Sequence, residues 1–123
     1  MKRCPCHSGK EYAECCQLYH LGRLPEDALR LMRSRYAAYA LGLADYILAS
    51  QKEGARSKGD ILQFSRSTLF DDLQILEFVD GVDRATVTFR AGLKQGGKDV
   101  SFVEKSRFAK VEGRWLYEGG EIG

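Results

Sequence analysis

Cys4, Cys6, Cys15 and Cys16 stand within the first sixteen residues, and the rest of the 123-residue chain has no cysteine. Thiols clustered this tightly answer a local need. Adjacent and next-but-one cysteines form strained disulfides, although cross-pairing between the two couples stays open; a reducing compartment would keep all four free. Zinc is the better candidate, because it takes four soft donors at tetrahedral positions and two short pairs around a small spacer can wrap one ion. A shell of four thiolates leaves no position for an activated water, so the expected role is structural and zinc hydrolysis is excluded. Such a centre carries a charge of about −2. Lys2, Arg3 and Lys10 are close enough in sequence to balance it or to meet an acidic partner. His7 and His20 are of ligand type, but four thiols complete the shell, and His7 is expected to be an exposed turn residue. Gly9-Lys10 lacks the earlier glycine of a phosphate loop, and Glu11 stands where Ser or Thr would be needed.

Outside the cluster the catalytic inventory is thin. No cysteine nucleophile remains, both histidines lie near the thiols, and the available bases are Asp45, Asp71, Asp72 and Glu104, of which Asp71-Asp72 read as a loop. Catalysis is therefore not the expectation. Arg35, Tyr36, Tyr39, Tyr46, Trp115 and Tyr117 are residue types that line pockets, and aromatic residues serve equally as core. Arg35 borders an apolar stripe and needs a partner, with Asp45 or Glu104 as candidates, or else an anion.

These residues need elements to position them. Cys4-Pro5-Cys6 is a short stiff turn, and Ser8-Gly9-Lys10-Glu11 has the form of a capping box, so Ser8 is expected to start a helix from Gly9 to Cys16. Two turns of helix rarely persist alone, and the ion would hold them. Leu24-Pro25-Glu26-Asp27 is a helix entrance. Leu29, Met32, Tyr36 and Tyr39-Ala40 then form an apolar face, Arg30, Arg33 and Ser34 lie elsewhere on the surface, and Gly42 is the stop. Leu43–Ser50 reads as a shorter helix, followed by a polar loop through Gly59 and a short helix over Ile61–Phe64 capped by Asp60. After Thr68 the pattern turns to strands at Leu73–Val79, Arg84–Leu93, Val100–Val111 and Arg114–Glu118. Turn residues Asp80-Gly81, Gly96-Gly97 and Glu112-Gly113 separate them. Such short connections favour an antiparallel meander covered on one face by helices, an α+β fold.

Composition bounds the whole. Hydrophobic residues make up 44% of the chain and charged ones 29%, with two prolines, which describes one globular unit with a small appendage. No apolar run reaches the length of a membrane span and the N-terminus resembles no signal peptide, so a cytoplasmic protein is expected. Nineteen basic against 17 acidic residues exclude a dedicated nucleic-acid binder.

The run Cys4-Pro5-Cys6-His7-Ser8-Gly9-Lys10-Glu11-Tyr12-Ala13-Glu14-Cys15-Cys16 resembles the SEC-C zinc motif, C-x-C-x-S-G-x-x-Y-x-x-C-[CH], found at the end of the preprotein translocase ATPase and in many small bacterial proteins. The resemblance implies that Cys4, Cys6, Cys15 and Cys16 ligate one zinc. His7 replaces the motif's usual glycine, which suits positive φ. Residues 28–39, Asp45-Tyr46, Ser106-Arg107-Phe108 and Gly113–Tyr117 are similar to the YchJ-like family. That implies a zinc motif over 1–22 and, over 23–123, a cystatin-like cone resembling nuclear transport factor 2, a curved antiparallel sheet packed with helices. No second copy of the motif follows, so paired zinc motifs are not expected. Two functional readings result. In the preferred one the zinc knob is a noncatalytic adaptor presenting Lys2, Arg3, Lys10 and Tyr12 to a protein partner, as the translocase motif does with its chaperone. In the other, the cone binds a small, partly apolar molecule and the zinc is a staple.

Overall fold

The Asp27 carboxylate opens the longest helix by accepting the Arg30 amide at 2.8 Å, and Gly42 closes it in the left-handed conformation at φ 74°. This helix, Ala28–Leu41, is α2 of the computed structural model, which describes residues 2–53 and 56–123. Met1 and residues 54–55, the latter in the polar loop expected to reach Gly59, lie outside the described residues. Before α2 come a 3₁₀ turn at Tyr12–Glu14 and α1 at Cys16–His20; after it come α3 at Ala44–Ala49 and α4 at Lys58–Ser67. Strands β1 (Leu69–Val79), β2 (Arg84–Gln95), β3 (Lys98–Asp99), β4 (Phe102–Val111) and β5 (Arg114–Ile122) complete the chain.

The sheet is an antiparallel meander in the order β1-β2-β4-β5, with the short β3 paired to the end of β2. Along β2, Ala85, Val87, Phe89, Ala91 and Leu93 are buried while Thr86, Thr88 and Arg90 are only half-buried, so one face meets the core. Register shifts at Phe70/Asp72 and Ile75/Glu77 in β1, and at Arg107/Phe108 opposite β5, bend the sheet. Its concave face takes α2: Leu31, Met32 and Tyr36 join Leu73, Val87, Phe89, Phe108 and Trp115 in one core. Ala38 joins Ala44, Ile47 and Ile61 in a smaller one between helices. The chain leaving α3 runs along β5, where the Tyr117 amide donates to the Ser50 carbonyl and the Lys52 amide to the Tyr117 carbonyl. That pairing covers a sheet edge and fixes Ser50 and Gln51 beside α2.

Four local expectations are corrected. Ser8 caps no helix: residues 2–12 form a small hairpin in which Cys4 donates to the Lys10 carbonyl and Tyr12 to the Lys2 carbonyl, and the left-handed Gly9 (φ 86°) makes a helix start there impossible. Ser34 is fully buried, because α1 and α3 pack on the back of α2 and leave that side no solvent. The last helix begins at Lys58 with Ser57 as its cap, its hydroxyl accepting from the Asp60 amide at 3.2 Å, so Asp60 lies within the first turn. Asp71 and Asp72 belong to β1 at its bulge, the irregular step there having given them the look of a loop.

Candidate metal centre and adjoining cavity

The hairpin brings Cys4 and Cys6 against Cys15 and Cys16 at the start of α1. All four are free thiols whose sulfur atoms lie within 4.8 Å of one another. Cys6 Sγ is 3.7 Å from Cys15 Sγ, which is 4.0 Å from Cys16 Sγ. A tetrahedron with Zn–S bonds of about 2.3 Å has edges of roughly 3.8 Å, so the donor set fits one such ion. Cys4, Cys6 and Cys16 are buried, and the Ser8 hydroxyl lies 3.3 Å from Cys15 Sγ. Hydrogen bonds from Cys16 and then Cys4 hold the Cys6 thiol far below its ordinary range. Cys16, hydrogen-bonded to Cys4 and Cys6 and buried, is pushed far above it. A divalent ion held there would supply the charge that favours the deprotonated thiolates.

Neither histidine belongs to the cluster. His7, at φ 61°, occupies the left-handed conformation that glycine favours and turns its ring outward, where Nε2 donates to the Phe70 carbonyl at 3.2 Å. The ring also meets Tyr36 edge-on at 5.8 Å. His20 accepts the Tyr12 hydroxyl at Nδ1 (2.6 Å) and donates from Nε2 to the Ser34 carbonyl (2.8 Å). Acceptance at Nδ1 requires the neutral ring; burial lowers its proton affinity, while the bond to the Ser34 carbonyl acts the other way. Arg33, absent from the expected site residues, donates to the Cys6 carbonyl at 3.0 Å and lies 3.9 Å from Cys6 Sγ. Its place one turn from Leu29 on α2 was legible; its aim at the thiols needed the fold. Lys2, Arg3 and Lys10 are exposed, Arg3 donating to the Gly9 carbonyl, whereas Tyr12 is half-buried on His20.

Between α2 and the concave sheet lies a cavity of about 600 Å³. Arg35, Tyr36, Tyr39 and Tyr117 line it. Trp115 does not; it is core, with Lys110 Nζ 5.9 Å from its ring centroid. Tyr46 faces a second hollow between α3 and α4, and its hydroxyl is 2.7 Å from Ser34 Oγ. Neither proposed carboxylate pairs with Arg35. Asp45 pairs with Lys58, and the buried Arg35 guanidinium donates to the Ile47 carbonyl (3.0 Å), Ser50 Oγ (2.8 Å) and Gln51 Oε1 (3.1 Å), stacked 4.5 Å over the Tyr117 ring. Burial lowers its proton affinity, yet an arginine stays cationic. Glu104, expected as a base or as the partner of Arg35, is a wall residue whose Oε2 accepts from Ser106 Oγ (2.5 Å) and Tyr117 OH (3.0 Å). Burial and then Glu104 raise the Tyr117 phenol, which keeps its hydroxyl a donor. Phe64, Phe70, Phe89 and Phe102 supply the apolar walls.

Comparison with known proteins agrees with this architecture. Residues 27–120 match the model of the YchJ middle NTF2-like domain, and residues 2–18 match the SEC-C motif. A UPF0225 protein of Xanthomonas campestris is 38% identical over 116 residues, covering 93% of this chain and 90% of its own. One from Streptomyces coelicolor is 37% identical over 123 residues, covering 97% and 94%. The solution structure of a SEC-C motif containing protein from Rhodopseudomonas palustris superposes with a TM-score of 0.89 at 35% identity, covering 98% of each chain. A crystal structure of a sec-c motif containing protein from Psychrobacter arcticus shares the fold, with a TM-score of 0.84 at 23% identity over 98% of this chain and 82% of that one. No helix among the described residues is long and apolar enough to cross a membrane.

Proposed function

The chain belongs to the YchJ-like family of UPF0225 proteins, and from that premise we propose a noncatalytic binding protein in which one structural zinc fastens the knob, residues 1–22, to a ligand-binding cone, residues 23–123. Four thiols at tetrahedral spacing, three of them buried, support zinc in a closed and therefore structural role. The observation that carries the binding reading is the aromatic cavity with Arg35 and Glu104 in its wall. Its volume of about 600 Å³ suits a small molecule, and a few fixed polar groups among apolar walls are the usual make-up of such sites. Among the described residues the lining holds no cysteine or histidine. A melting-temperature screen of organic acids, amines and aromatic metabolites on zinc-loaded protein tests the proposal, because a ligand of the native state raises Tm. Reproducible shifts that vanish when the cavity is filled by Ala91→Phe are expected; a panel without any shift rejects it. Metal analysis should find one zinc per chain, released by thiol modification, and a metal-free reduced protein with an ordered knob would reject the zinc assignment.

The adaptor reading has a narrower basis: Lys2, Arg3 and Lys10 are exposed on one hairpin, while Tyr12 is engaged with His20. It expects an acidic protein partner that is lost when these three cations are reversed and zinc is retained. Equal capture by the reversed variant removes it.

A further inference from the structure

The cavity wall holds one cation and one anion that do not neutralise each other. Arg35 is 7% exposed, and its recorded hydrogen bonds go to neutral oxygens. Among the described residues no carboxylate lies within ion-pair distance of it. Glu104 is fixed with equal care. Ser106 and Tyr117 both donate to Oε2, so Oε1 has no protein donor among the described residues. Gly120 makes room for the carboxylate, since a Cβ there would stand 2.2 Å from Oε2. Tyr117 separates the two charges: its ring face lies under Arg35 and its hydroxyl is on Glu104.

Of the other charges at this wall, Glu118 is paired with Lys52 and Arg84, and Arg56 faces solvent at the rim, over Phe64. The interior thus offers a fixed dipole within apolar walls. A plain acid gains Arg35 and meets Glu104 as a like charge; a plain amine meets the reverse. A molecule carrying both charges satisfies each pole and adds none of its own net charge to a low-dielectric site.

Resting on the cavity as the binding site, we propose that its ligand is amphoteric: a small molecule with an apolar body, a cationic nitrogen that meets Glu104 Oε1 and a carboxylate that meets Arg35. Amino acids with large apolar side chains are the simplest members of this class. The aromatic rings of Phe64, Phe70, Phe89 and Phe102 hold the side chain, and Arg35 is kept in place by Ser50 and Gln51 whether or not the ligand is present.

Calorimetric titration of the zinc-loaded full chain with L-phenylalanine, 3-phenylpropionate and phenethylamine distinguishes the poles. The zwitterion should bind about tenfold more tightly than either analogue. Glu104→Gln should abolish its advantage over 3-phenylpropionate, the acid's own affinity rising as the like charge is removed. Gly120→Ala, which displaces the carboxylate without removing it, should do the same, with melting curves verifying that both variants fold. Equal binding of all three probes, or an advantage unaltered in both variants, overturns the amphoteric assignment and leaves the cavity as a binding site. Failure of every probe, together with an empty wider screen, overturns both.

Discussion

At the scale of single residues, the knob is tied to the body by a directed run of hydrogen bonds. Tyr12 donates to His20, His20 donates to the Ser34 carbonyl, and Ser34 Oγ donates to the Leu31 carbonyl, leaving Tyr46 as the donor to Ser34 Oγ. The run has one titratable weak point. Burial holds the His20 ring below its ordinary value, so the unfolded chain takes up a proton before the folded one does. The contribution of His20 is intact above about pH 6.5 and declines as pH falls through the lowered value of the folded state. His20→Gln keeps an acceptor and a donor but cannot titrate. Its Tm should drop less than that of the parent between pH 7.5 and pH 5.5, zinc content being measured at both; parallel losses would show that His20 does not contribute to acid sensitivity.

Among the elements, α2 matters most, since one side of it roofs the cavity and the other carries the knob. Its two ends are set by Asp27 and Gly42, and the substitutions Asp27→Ala and Gly42→Ala should each cost about 1 kcal/mol, lowering Tm by roughly 4 °C. The first loses the bond to the Arg30 amide; the second places a Cβ at φ 74° and 3.4 Å from Ser65 Oγ. Thermal melts that leave either variant unchanged would show that the end concerned does not limit the helix. Both ends were legible because caps are local chemistry, and so were α3, the strand alternation at Val87, Phe89 and Ala91, and the turns, since period and glycine placement are local as well. The thiol set was legible for the same reason: its four donors lie within the first sixteen residues. Ser34, Arg33 and Glu104 were not. A helix buried on two sides has no polar face by which to recognise its second contact, and the cavity depends on sheet curvature that arises from bulges spread over β1 and β5. Ser8 misled because a capping-box pattern says nothing of a left-handed glycine inside it.

For the molecule as a whole, the question is whether metal and cavity are independent. His7 directly follows Cys6 and touches two members of the cavity wall, donating to the Phe70 carbonyl and meeting the Tyr36 ring. Phe70 in turn packs edge-on against Tyr36 and Phe64, at 5.5 and 5.8 Å. Without a bound ion, the hairpin would be held to the body, among the described residues, only by hydrogen bonds through His7, His20 and Arg33. His7 then leaves the β1 edge, and the Tyr36–Phe70 wall loses its outer support while β2 and β4, deeper in the sheet, keep theirs. Chelation followed by hydrogen exchange should therefore raise exchange first in residues 2–20, then at Phe70–Asp72, and leave Val87–Phe89 unaltered, with readdition of zinc reversing the order. Affinity for any cavity ligand should fall about tenfold on metal removal, in proportion to the share of molecules whose wall has loosened. His7→Ala, with zinc retained, should reproduce the change at Phe70–Asp72 without the change in residues 2–20, because it cuts the link and spares the centre. Protection at Phe70–Asp72 that survives both chelation and His7→Ala would make the thiol centre a staple for its own hairpin alone, energetically separate from the cone.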